Sequence, residues 1–278
     1  MPTLAIIGAG HVGRTFGRLW HAAGTFDVVG VLARSAASAQ EGVAFIGAGF
    51  PAAEVAALPV ADVYLLAVTD DQIVPACAAL AASRPLQGAT VFHCSGALAS
   101  GTLEAARQGG ARLASVHPIR SFADPAAVVA AFAGTFCGIE GDEAALALLV
   151  PALEAIGARP VAIDPAAKTV YHAAAVFASN YLVTVLDAAL RAYQAAGIPE
   201  DVARELARPL AQESLSNVFR MGPAQALSGP VARGDYATVQ RQQAAVSAWD
   251  ADTGTLYGAL VPPTATLAAR KVPKTASA

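Results

Sequence analysis

Apolar residues fall into two regimes along the chain. Up to about residue 164, short apolar runs alternate with stretches whose apolar positions recur at helical spacing; beyond it only the helical spacing persists. Residues 4–7 predict a first strand. Val12, Phe16, Leu19 and Trp20 predict a helix over 13–24 that stops at Gly24, and 26–34 (FDVVGVLAR) predicts a second strand. Further strands are predicted at 43–46 (VAFI), 62–68, 89–94, 112–117, 135–140 and 159–163, with the clearest helices between them at 70–83 and 142–157. Such alternation predicts a mostly parallel sheet covered on both faces. The pattern changes at Asp164-Pro165, where Asp164 suits an N-cap and Pro165 a first helical turn. No breaker follows until Gly197-Ile198-Pro199, which predicts a helix of about 32 residues and about 48 Å. The remainder reads helical, with turns at Met221-Gly222-Pro223 and Ser228-Gly229-Pro230, and 262–278 reads as a polar, poorly ordered tail.

Three glycines in IIGAGHVG (6–13) lie between the first strand and the first helix. In a strand–turn–helix–strand setting this G-x-G-x-x-G spacing has a specific mechanical reading. Gly8 permits the tight turn, Gly10 lets the backbone approach a pyrophosphate, and Gly13 lets helix and strand pack closely. The free N–H groups of the helix start face the phosphates. Gly8, Gly10, His11, Val12 and Gly13 are therefore expected at a dinucleotide. An NAD site would place a carboxylate about 20 residues on, at the end of the second strand. The stretch there is VLARS (31–35), so Arg34 and Ser35 stand where a 2′-phosphate would need them, and NADP is expected over NAD. An ordinary solvated role for Arg34 is the alternative. Val68 and Thr69 follow the fourth strand, where a loop would cover the cofactor, and Asp70 or Asp71 is read chiefly as a helix cap. The expected fold class is α/β: a Rossmann-type, mostly parallel sheet domain over 1–164, then an all-helical domain over 165–278 for substrate and dimerisation.

Composition narrows the function. Of the 278 residues, 55% are hydrophobic and 14% charged, which suits a compact globular chain and not a disordered one. With a net charge of −3 and no basic run of five, nucleic acid is a poor partner. Low charge with high apolar content favours an oligomer, and apolar residues on nearly every face of the helix from Pro165 to Ala196 make a homodimer the expectation. Cys77, Cys94 and Cys137 are few, odd in number and widely spaced, which fits a reduced cytoplasmic protein without disulfides or a metal clip. No signal-peptide pattern opens the chain, and the apolar stretch 173–186 reads as too short and too polar for a membrane span.

Candidate chemistry collects at the carboxyl ends of the strands, where open α/β sheets bind ligands. His93, Cys94 and Ser95 close the fifth predicted strand; His117 and Pro118 close the sixth. His117 is either a site residue or a histidine bonded to a backbone carbonyl, and Cys94 reads as packing. On the long helix, with Lys168 as origin, His172 falls at about 40°, Ala175 at about −20° and Ser179 at about 20°, with Asn180 one step further round. The helix dipole near Lys168 lowers its pKa, which suits a proton donor to a developing alkoxide or amine; a lysine reaching to solvent is the alternative. Arg120 and Arg233 are candidate carboxylate clamps.

The stretches HCSGAL (93–98), SVHPIRSF (115–122), FCGIEGD (136–142), KTVYHAAAVFASN (168–180) and ALSGPVARGD (226–235), in this domain order, resemble the 6-phosphogluconate dehydrogenase-like superfamily. The resemblance is closest to a branch that joins a Rossmann-like domain to a C-terminal domain of unknown function, often labelled deazaflavin-dependent NADP oxidoreductase. Ser95-Gly96 resembles the serine-glycine substrate loop of β-hydroxyacid dehydrogenases. His117-Pro118 resembles the pair in prephenate dehydrogenases whose histidine bonds the reacting hydroxyl, but Ile119-Arg120-Ser121-Phe122 departs from the continuation there, so prephenate is not carried over. The superfamily often pairs a catalytic lysine with an asparagine four residues on; Lys168 keeps the lysine, and His172 stands in place of the asparagine. The resemblance implies an NADP-dependent oxidoreductase acting on a small carbonyl, hydroxy or imine compound. Lys168 or His117 would give the proton with His172 alongside, and Ser95, Gly96, Ser179, Asn180 and Arg120 would meet substrate. Hydride exchange with a deazaflavin and a non-catalytic NADP sensor are the alternatives.

Overall fold

The computed structural model describes residues 1–271. The chain divides into two compact units, 1–176 and 177–278. The first contains β1 (Thr3–Ile7), α1 (His11–Ala22), β2 (Asp27–Leu32), α2 (Ala36–Ile46), β3 (Phe50–Ala52), β4 (Val63–Leu66) and α3 (Asp70–Ser83). It continues with β5 (Thr90–His93), α4 (Glu104–Gln108), β6 (Arg112–Pro118), α5 (Pro125–Ala130), β7 (Phe136–Gly141), α6 (Glu143–Ala155), β8 (Arg159–Ala162) and α7 (Lys168–Val176). The strand order is β3-β2-β1-β4-β5-β6-β7-β8, parallel throughout except for the antiparallel β6–β7 pair. The order reverses between β1 and β4, the crevice where this topology receives ligands.

Alternation within the strands builds a core on each face of the sheet. Leu4, Ile6, Val63 and Leu65 face one side; Ala5, Ile7, Tyr64 and Leu66 face the other. Phe16 and Trp20 stack at 4.6 Å on the first side, and the Trp20 indole N–H donates to the Ala152 carbonyl at 2.8 Å, locking α1 to α6. The strand expected at 43–46 is instead the last turn of α2. Ala39, Gly42 and Ile46 share a buried face at helical spacing, and Gly47 ends the helix in the left-handed region at φ +88°. The neighbour of β2 is β3, four residues further along.

The first turns of the long helix, carrying Lys168 and Tyr171, bond to the sheet, so the compact units part at 176/177, beyond the change of pattern at Asp164. The second unit opens on a π-helical segment, Phe177–Tyr181. It continues with α8 (Leu182–Ala195), α9 (Glu200–Met221), α10 (Pro223–Ala226), α11 (Gly229–Ala232), α12 (Tyr236–Trp249) and α13 (Ala251–Ala269). Arg191 ties α8 to α13 through Asp250 at 2.7 Å and Thr253 at 2.9 Å. The whole helix Pro165–Ala195, 31 residues with a mean hydropathy of 1.5 in its most apolar window, is long and apolar enough to cross a membrane by length and composition. The stretch 173–186 read from the sequence is a part of this longer helix. The expected loose tail also needs correction: α13 runs through Pro262 and Pro263 to Ala269, while 272–278 lie outside the described residues.

Candidate functional site

A cleft of about 720 Å³ opens at the β1/β4 reversal, lined by Gly8, Gly10, His11, Arg34, Val68 and Thr69 among others. Its floor is built by the glycines. Gly8 has φ +112°, and a Cβ there would lie 2.6 Å from the Ala67 carbonyl carbon. A Cβ on Gly13 would collide with the Gly8 carbonyl, whereas one on Gly10 would meet nothing within 4 Å, so the backbone at Gly10 is bare toward the cleft. Gly10 is the N-cap of α1 and supplies no side chain, which leaves the first N–H groups of the helix to a ligand. A pyrophosphate fits this cradle. Val12 packs against the core and Gly13 is buried, so these two shape the turn without lining the cleft. The His11 imidazole meets the Phe122 carbonyl through Nδ1. Arg34 lines the far end together with Ser38. Ser35 caps α2, accepting from the Ser38 N–H at 3.2 Å.

Past β5 the chain turns through Ser95 and Gly96. The Ser95 hydroxyl donates to Asp70 at 2.9 Å and accepts from the N–H groups of Ala97 and Leu98 at 3.1 and 2.9 Å. A hydroxyl has one hydrogen and two lone pairs, so this one is fully used in shaping the turn. Ser95 is therefore not a free substrate contact. Asp70, read chiefly as a cap, instead tethers this turn to the start of α3, next to Thr69 in the cleft. His93 is completely buried: its Nδ1 accepts from the Ser95 N–H, which leaves Nε2 to donate to Ala99. Burial holds it at about 4, so it stays neutral.

Lys168 is the opposite of an open proton donor. It is 1% exposed, and its Nζ donates to the Ser95 carbonyl at 3.0 Å and to the Ser115 hydroxyl, with Glu140 at 3.5 Å. Glu140, 4% exposed, also accepts from the Ser100 N–H and hydroxyl at 2.7 and 2.6 Å. The antiparallel register places Ser115 opposite Glu140, which brings both to one ammonium. Burial lowers the Lys168 pKa, opposed by the Glu140 charge. The first turn of α7 lies beside the β5 turn, and its amine is consumed as a staple and lines no part of the cleft. Arg120 is exposed and bonds the Ala131 carbonyl and the Thr135 hydroxyl through Nη1 alone, which leaves Nε and Nη2 to solvent.

One turn along α7 the situation reverses. His117 and His172 stand edge to face with ring centroids 5.5 Å apart. Both lean on Gly96, where a Cβ would lie 2.8 Å from His117 Nε2 and collide with His172 Nδ1. His172 Nδ1 is buried with no hydrogen-bond partner, the one such side-chain atom among the described residues. His117 Nδ1 pairs with the Tyr171 hydroxyl at 2.9 Å, and its Nε2 has no protein partner and is not sealed from solvent. Desolvation, then the neighbouring His172 and Lys168, lowers the His117 pKa to about 4. Burial pushes Tyr171 up to about 12 and raises the thiols of Cys94 and Cys137, so neither cysteine is a thiolate. Ser179 and Asn180 lie in the exposed π-helical segment that begins the second unit, and Arg233 follows α11 there. Sequence reasoning missed Tyr171, Glu140 and Ser115. Glu140 was findable as a carboxylate inside an apolar strand, TFCGIE.

The fold and this edge of the sheet define a Rossmann-like unit followed by a helical one. Residues 2–118 match the Rossmann-like domain family, and residues 135–263 match a domain of unknown function, DUF2520. Among solved structures, a Thermotoga maritima protein is similar at 27% identity and a TM-score of 0.74, covering 96% of this chain and 98% of that one. A candidate NADP oxidoreductase from Bacteroides fragilis is similar at 21% identity and a TM-score of 0.77, covering 95% and 98%. A reductive aminase from Aspergillus terreus, solved with NADPH and ethyl-5-oxohexanoate, is similar at 18% identity and a TM-score of 0.64, covering 97% and 93%. Comparison with the curated proteins finds no match.

Proposed function

We propose that the chain is an NADP-dependent oxidoreductase that moves hydride between NADP(H) and a small carbonyl, hydroxy or imine compound. The observation that carries this reading is the glycine cradle at the strand-order reversal, joined through Asp70 and Ser95 to a turn beneath an imidazole whose Nε2 is open. The Bacteroides fragilis and Aspergillus terreus structures support the same reading. The bare N-terminus of α1 would hold the pyrophosphate, and Arg34, Ser38 and the start of α2 would hold a 2′-phosphate. The bound nicotinamide supplies or accepts the hydride. His117 meets the reacting oxygen or nitrogen from Nε2. Lys168 and Glu140 hold the β5 turn in place beneath it, a change from the role expected of Lys168. Purified protein should bind NADPH in a fluorescence titration and oxidise it with at least one compound in a panel of keto acids, ketones, imines and deazaflavin. No NADPH binding would overturn the reading; tight binding without turnover on any compound would favour a sensor.

The second unit is also proposed to pair with a second copy. Phe177, Tyr181, Val183, Leu206, Leu210 and Phe219 are exposed, while among the described residues only Ala203 and Val239 are buried hydrophobic side chains of this unit. A helical unit so bare needs a partner surface. The chain's three free cysteines, Cys77, Cys94 and Cys137, suit the reducing cytoplasm. Light scattering at micromolar concentration should give twice the 28.0 kDa chain mass, and a monomer would refute the pairing.

A further inference from the structure

The antiparallel register sets Gly138 opposite His117 across the β6–β7 pair. Gly138 makes room for Tyr171: a Cβ there would stand 2.5 Å from the phenolic oxygen and collide with Ile163. The tyrosine ring, seated over that glycine, brings its hydroxyl 2.9 Å from His117 Nδ1, with the two rings edge to face at 88°. The phenol has one hydrogen, and Nδ1 is the acceptor beside it. If Nδ1 carried the imidazole hydrogen, the phenolic O–H would lose that acceptor in a partly buried position, at a cost of about 1–3 kcal/mol. Donation by the phenol satisfies both groups. Nδ1 is then the lone-pair nitrogen, and Nε2, the nitrogen open to solvent, carries the hydrogen.

This arrangement answers a difficulty in the reading above. His117 is lowered to about 4, by burial first and then by His172 and Lys168, with Asp70 opposing. At neutral pH it is not an imidazolium, and a neutral imidazole is a weak acid by itself. It needs a second hydrogen behind it.

We propose that Tyr171 is a positioning residue that fixes His117 as the Nε2–H tautomer and supplies the hydrogen that replaces the one His117 gives up. The inference rests on the oxidoreductase reading. As the substrate carbon gains hydride, its oxygen or nitrogen gains an electron pair and takes the proton from Nε2. The Tyr171 O–H bond breaks and an N–H bond forms at Nδ1, so the imidazole stays neutral and the negative charge ends on the phenolate. A phenolate is a much weaker base than an alkoxide, so the transfer runs downhill even with Tyr171 pushed up to about 12. A proton from water to Nε2, with the Nδ1 hydrogen returning to Tyr171, restores the starting tautomer.

The test separates the tautomer from the chemistry. Long-range ¹H–¹⁵N spectra of the imidazole rings in the full chain, without cofactor at pH 7, should show His117 with a lone-pair Nδ1 and a protonated Nε2. In Tyr171→Phe, which keeps the ring over Gly138, that preference should collapse to a mixture. Incorporating 3-fluorotyrosine at position 171, a more acidic phenol, should restore the tautomer. It should also move the alkaline limb of kcat to lower pH on any substrate the NADPH screen identifies. With that substrate, Tyr171→Phe should lose kcat at least tenfold with KM within about twofold. A wild-type spectrum showing Nδ1–H, or one unchanged in Tyr171→Phe, overturns the proposal. Failure to bind NADPH overturns the oxidoreductase reading instead and leaves the spectra interpretable.

Discussion

Two regions of the site stand one helical turn apart on α7 and treat their polar groups in opposite ways. Around Lys168, every donor and acceptor is spent: the ammonium on Ser95, Ser115 and Glu140, and the carboxylate on Ser100 as well. Around His117 and His172, one imidazole nitrogen is buried without a partner and another is open. A saturated buried network specifies structure, because any ligand would have to displace bonds already made. Unspent hydrogen-bonding capacity is what a ligand can use. Residue type alone would rank the two regions the other way, since lysine is the more familiar proton donor on such a helix.

The largest effect expected from breaking this contrast is on stability. Lys168→Ala would leave the Glu140 carboxylate buried without its countercharge, at a cost of about 3–5 kcal/mol. For a unit of this size that corresponds to a fall in Tm of about 6–20 °C. Lys168→Met combined with Glu140→Gln removes both charges and should recover more than half of the loss, as read by calorimetry. If Lys168→Ala melted like the wild type but lost turnover, the assignment of the two regions would have to be exchanged.

How much of this was legible in the sequence follows from range. The glycine turn, β2, α3 and the β5 and β6 ends are local, because period and punctuation fix them, and each stands within a residue or two of its expected place. The run 43–46 failed because four apolar residues do not distinguish a strand from a helix turn; the decision came from Ala39 and Gly42 facing the same core and from Gly47. The site divides along the same line. His117, His172 and Gly96 were found and lie together. The fates of Lys168, Ser95 and Arg120 depended on partners 11 to 73 residues away, and the antiparallel β6–β7 register that brings Glu140 and Ser115 to Lys168 is announced by no local pattern.

Next in size is the open side of the contrast. His117→Ala should lower kcat by about 10²–10⁴, the range general acid catalysis supplies, with NADPH affinity within a few-fold. Because the His117 pKa is about 4, the imidazole is neutral across pH 6–8, and the ratio of wild-type to variant kcat should hold constant over that window. Stability should change by about 1–3 kcal/mol, the cost of leaving the Tyr171 phenol without its acceptor. A melting loss as large as that of Lys168→Ala would make His117 structural as well and erase the difference between the regions.

The smallest effect lies in the glycine cleft, outside both regions. Arg34 and Ser38 line the cleft where the adenosine ribose would reach, and no carboxylate ends β2. A 2′-phosphate there would gain charge-assisted bonds from the guanidinium and the N-terminal N–H groups of α2, whereas a bare 2′-hydroxyl would gain little. NADPH should therefore bind at least about tenfold more tightly than NADH, a difference of about 1.4 kcal/mol. Arg34→Asp replaces the attraction by repulsion and offers an acceptor to the ribose hydroxyl, so the ratio should fall to one or below while the melting temperature stays put. The substitution leaves Nε2 of His117 and the Lys168 staple untouched. On a substrate that turns over, kcat at saturating cofactor should be unchanged and only the cofactor KM should move. Equal affinity of the wild-type chain for NADPH and NADH, in a fluorescence titration at fixed ionic strength, would remove Arg34 from the site and return it to the solvated loop residue that an arginine at a strand end otherwise is.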